Sequence, residues 1–105
     1  MKLEQIKELM ASPERLIDPR VITTLISYLS NYITDLEETI NEENYQVSVK
    51  WSQIRKEVKT NSTADREIEL TDIYRQRELT KLKCAELRRY RSDLKDRFEV
   101  LTRYN

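Results

Sequence analysis

The sequence contains no histidine and no glycine, and only one cysteine, one tryptophan, one phenylalanine and two prolines. Each shortage closes a class of fold or function. Without histidine, the chain lacks the commonest general base near neutral pH and the commonest zinc ligand. Without glycine, it has no glycine-rich phosphate loop, and none of the easy positive φ that hairpins, bulges and tight βα turns draw on. The lone Cys84 cannot close an internal disulfide, which points to a reducing, cytoplasmic compartment. No apolar run approaches the ~20 residues of a membrane span, and the acids in the opening "MKLEQIKELM" are unlike a secretory signal. A membrane partner is therefore not expected.

Nucleophilic and metal chemistry fare no better. Cys84 has Lys83 beside it but no histidine to pair with, and its spacing from Thr80 and Leu87 makes it a small seam residue. Glu37, Glu38, Glu42 and Glu43 share one predicted helix with no second cluster converging on them, so they read as a solvated or salt-bridged face. The chain is expected to be no enzyme and to need no cofactor.

What the chain does have is charge and period. Charged residues make up 36% of it and apolar types 38%, so the core must be a narrow seam within one domain. The net charge of zero hides a segregation. Residues 1–74 carry 9 basic and 14 acidic side chains, residues 75–105 carry 10 and 5.

From Pro19 onward, Ile22, Ile26, Leu29, Ile33, Leu36, Ile40, Val47, Trp51, Ile54 and Val58 recur at steps of three and four, with Asn44 bridging the one gap. The stretch "ENYQVSVKWSQI" at 43–54 also alternates as a strand would, through Tyr45, Val47, Val49 and Trp51. A strand there has no partner to satisfy its backbone. The helical period runs through it unbroken, and helix is the preferred reading. A polar residue in the seam, Asn44, either fixes the register or marks a wetter part of it. Its replacement by leucine is expected to raise stability.

A short N-terminal helix is expected within 2–17, with Ser12 and Asp18 capping turns before Pro13 and Pro19. A second long helix is expected to open at the Ser62/Asp65 box and run without a stop through Tyr104. In it Ile68, Leu79, Tyr90 and Leu101 recur every eleven residues, with Leu82 and Leu87 on the same broad face. Folding back near Asn61 sets Leu29 against Leu94 and Ile33 against Tyr90. The fold class is thus all-α: a long antiparallel, coiled-coil-like helical hairpin with a short N-terminal helix. It forms a single domain over 1–105, with long helices at 19–60 and 63–104, and is expected to be oligomeric.

Three candidate surfaces follow. The tract "YRQRELTKLKCAELRRYRSDLKDR" places Arg77, Lys81, Arg88, Arg91 and Lys95 on one stripe, the pattern a phosphate backbone or an acidic partner would meet. Its plainer reading is neutralisation by acids of the first helix. Asp35, Glu38 and Glu42 form an acidic patch. Tyr28, Tyr32, Trp51 and Tyr74 are of the types that anchor interfaces.

The segments "DPRVITTLISYLSNYITDLEETI", "TNSTADRE" and "KLKCAELRRYRSDLKDRFEVLTR", in that order, resemble small coiled-coil proteins from the early regions of tailed bacteriophages and prophages, encoded beside recombination or replication genes. The resemblance implies an accessory or inhibitor working in a host cytoplasm on a host or defence nucleic-acid machine. The leading expectation is a non-enzymatic protein–protein interaction module. A nucleic-acid-binding accessory using the basic stripe and a structural assembly component are the alternatives, with another protein, nucleic acid or a second copy of the chain as partners.

Overall fold

The computed structural model describes residues 1–103; Tyr104, expected on the second helix's seam, lies outside them. The helices are α1 (Leu3–Met10), α2 (Pro19–Glu57), α3 (Asn61–Glu69) and α4 (Asp72–Arg103), with a 3-10 turn at Pro13–Arg15 between the first two. No strand occurs among the described residues. The fold is all-α, and α2 packs against α4 as a hairpin.

Local chemistry sets most of the ends. Asp18 caps α2, its Oδ1 accepting the Arg20 N–H at 2.9 Å, and Pro19 sits at the first helical position. That bond, with the Arg20 guanidinium beside it, holds the Asp18 carboxyl below its usual range. At the far end, Arg55 donates to Val58 O at 2.9 Å and to Asn61 Oδ1 at 2.5 Å. The turn into α3 therefore closes without glycine, and no described residue has positive φ. Thr60, rather than Ser62, caps α3 by accepting the Thr63 N–H.

The second long helix is not continuous. α3 ends at Glu69, and Thr71 restarts the chain as a new cap: its Oγ1 accepts the Tyr74 N–H at 3.3 Å while donating to Ile68 O at 2.7 Å. No proline or glycine marks this break, which is why the sequence does not advertise it.

The chain divides into two compact units. One comprises Met1–Thr34 and the chain from Ala85 on. Here the first half of α2 lies antiparallel to the second half of α4, and Arg91 Nη1 reaches Ser30 Oγ at 3.3 Å. Ile22, Leu25, Leu29, Ile33, Leu87 and Leu94 are buried, together with Ile6 and Met10 of α1 and Leu16 of the segment that follows it. Burying each such side chain contributes about 1.5–3 kcal/mol.

The other unit is Asp35–Cys84. Val47 and Ile54 of α2 pack with Ala64 and Ile68 of α3, and Trp51, Val58, Ile73 and Tyr74 close the cluster. The stretch at 43–54 is helical throughout. Tyr45 and Val49, which a strand would have placed beside Val47 and Trp51, are exposed.

The α4 seam differs from the eleven-residue reading. Leu79 and Leu82 are 53% and 67% exposed, whereas Thr80, Cys84, Leu87 and Leu94 are buried. The working period is the four-three alternation through Ile73, Arg77, Thr80, Cys84, Leu87, Arg91 and Leu94. Thr80 tolerates burial because its hydroxyl donates to Gln76 O at 3.0 Å.

Candidate interaction surfaces

In the Asp35–Cys84 unit the two residues of the basic stripe, Arg77 and Lys81, turn inward or pair. Arg77 keeps only 16% of its side chain exposed. Its guanidinium donates to Asn44 Oδ1 at 3.3 Å and Glu78 Oε1 at 3.2 Å, and lies 4.7 Å from the centre of the Tyr74 ring. Lys81 pairs with Glu78 at 3.5 Å. Asp35, Glu38 and Glu42 are all exposed on α2.

Glu43, one residue on, is buried instead, at 8% exposure, with Oε1 lacking a hydrogen-bond partner. It shares the seam position with Asn44, which the sequence assigned to Asn44 alone. The two behave oppositely. Glu43→Met removes an unsatisfied buried oxygen and is expected to stabilise by about 1–2 kcal/mol. Asn44→Leu takes an acceptor from a half-buried guanidinium, so it is expected to destabilise by about 1 kcal/mol rather than stabilise. Urea denaturation of both variants checks the pair.

In the other unit, Arg91 is half-buried on Ser30, Arg88 is exposed with an interaction of its own, and Lys95 is exposed. Arg97, at the end of the basic tract, is a clamp: Nε donates to Leu16 O at 3.0 Å and Nη2 to Glu14 O at 3.1 Å. Tyr90 donates to Glu86 Oε1 at 2.8 Å, and that bond to a carboxylate, with burial, raises the phenol's pKa. Lys7 of α1 approaches the same carboxylate at 3.7 Å.

The aromatic candidates divide similarly. Tyr32 is half-buried and its hydroxyl donates to Met1 O at 3.0 Å. Trp51 is half-buried, with Nε1 donating to Asp65 Oδ1 at 2.8 Å. Tyr74 is half-buried under Arg77. Tyr28 alone of the four stands on the surface, lining a shallow groove with Thr24 and Asn31.

Sequence reasoning missed the exposed pair Leu79 and Leu82. The signal that finds them is the heptad through Thr80, Cys84, Leu87 and Leu94, which leaves both leucines off the seam. Among the described residues no three His, Cys, Asp or Glu side chains come together as a metal site would require, and no helix is long and apolar enough to cross a membrane. No protein family, curated protein or solved structure matches the chain.

Proposed function

We propose that the chain is a non-enzymatic helical protein–protein interaction module whose partner face is the outer side of α4 around Leu79 and Leu82. One observation carries this reading: two leucines one turn apart stand 53% and 67% exposed on a helix whose own seam is already filled. Leucines left out of the core at helical spacing are what a partner's groove or helix engages. The resemblance to phage early-region proteins supports a setting, that of an accessory or inhibitor of a host or defence nucleic-acid machine. The basic stripe gains less support, because Arg77, Lys81 and Arg91 already have partners within the chain.

The test is quantitative capture from host extract, comparing the wild-type chain with a Leu79→Asp/Leu82→Asp double variant. The outward positions predict unchanged helicity by circular dichroism and at least a roughly tenfold loss of one retained protein. If both chains retain the same proteins equally, the proposed face is wrong.

A further inference from the structure

The outer side of α2 in the Asp35–Cys84 unit carries a second, unrelated pattern. Glu38, Glu42, Tyr45, Val49, Ser52 and Lys56 follow one another at steps of four, three, four, three and four, and all are exposed. At about 100° per residue they lie on the side of α2 facing away from Val47 and Ile54. Tyr45 is 71% exposed and Val49 40%. Among the described residues, no ion pair within the chain uses Glu38, Glu42 or Lys56. The spacing is that of a coiled-coil seam, with two apolar residues at its centre and charges at both ends.

We infer that this stripe pairs with the same stripe of a second copy, antiparallel, about a twofold axis at the level of Val47. The order of residues makes the surface self-complementary. In that register Tyr45 of each copy packs on Val49 of the other, Glu42 meets Ser52, and Glu38 meets Lys56 at both ends. An isologous contact requires this reciprocity. A parallel pairing would set Glu38 on Glu38 and Lys56 on Lys56, so the charges select the antiparallel form and align the helix dipoles favourably. Five turns of one helix pair bury on the order of 1,000 Å², at the low end for specific interfaces, so the dimer is weak and reversible. It uses a different helix face from Leu79 and Leu82 and does not rest on the function proposed above.

Sedimentation velocity on the purified chain, from roughly 10 μM to 1 mM, tests it. The wild type is expected to shift from monomer to dimer across that range. Glu38→Lys alone and Lys56→Glu alone each set like charges together at both ends, and each is expected to weaken the dimer about tenfold or more. The Glu38→Lys/Lys56→Glu double variant restores opposite charges and is expected to recover the wild-type association. Tyr45→Asp is expected to abolish it, and Leu79→Asp/Leu82→Asp to leave it unchanged. A wild type monomeric throughout, or a double reversal that fails to recover, overturns the inference. So does a monomer that loses a captured host protein through Tyr45→Asp, since that would assign the stripe to a different partner.

Discussion

Leu94→Ala is expected to lower stability by about 3 kcal/mol, while Leu79→Ala on the same helix changes it by about 0.5 kcal/mol or less. The substitutions delete the same atoms from the same backbone, so the difference measures environment alone. Leu94 is fully buried, in a unit whose core also holds Leu29 and Leu87. Truncation there loses the transfer free energy of the removed methyls and leaves a cavity that long helices cannot easily collapse. Leu79 is more than half exposed and leaves no cavity. A domain of this size has about 5–15 kcal/mol in total, so the first variant gives up a large fraction of it, or roughly 15 °C in Tm. Urea denaturation followed by circular dichroism decides the matter. Equal losses at the two positions would mean that the α4 seam is misassigned.

That contrast also shows what the sequence could and could not disclose. The α2 seam was legible because Ile22, Leu29, Ile33, Val47 and Ile54 make it apolar on both sides of Glu43 and Asn44, and their period survives the β-branched stretch around Val47. The α4 seam was legible in part: Cys84, Leu87 and Leu94 are buried as their spacing placed them, but Arg77 and Arg91 occupy positions that a hydrophobic scan passes over, while Leu79 and Leu82 attract it. A threonine bonded to its own helix and an arginine stacked on Tyr74 are held by contacts that periodicity does not encode, although the arginine's buried Nε has no acceptor. The break at Thr71 escaped for a related reason. Threonine is unremarkable inside a helix, and its capping role exists only once Leu70 has left the helical ladder. The surfaces suffered most, since a basic residue looks the same in sequence whether it faces solvent, as Lys95 does, or a backbone carbonyl, as Arg97 does.

Arg97→Ala is the variant that separates those two uses of a positive charge, with an expected cost of about 2 kcal/mol. The guanidinium makes two charge-assisted bonds to the carbonyls of Glu14 and Leu16, fastening the segment between α1 and α2 to α4. Alanine leaves the Leu16 and Glu14 oxygens without this donor. The loss is local to the unit that contains the clamp. Hydrogen exchange across residues 2–17 and tryptic cleavage after Arg15 are therefore expected to accelerate roughly 30-fold, the factor that corresponds to about 2 kcal/mol of opening. Arg97→Lys supplies the control. It keeps the charge but cannot fork to both carbonyls, so it is expected to recover less than half of the protection. Full recovery with lysine would show that charge alone matters at this position. Unchanged exchange in Arg97→Ala would show that the clamp holds nothing, and would return Arg97 to the basic tract as a surface residue available to an anionic partner.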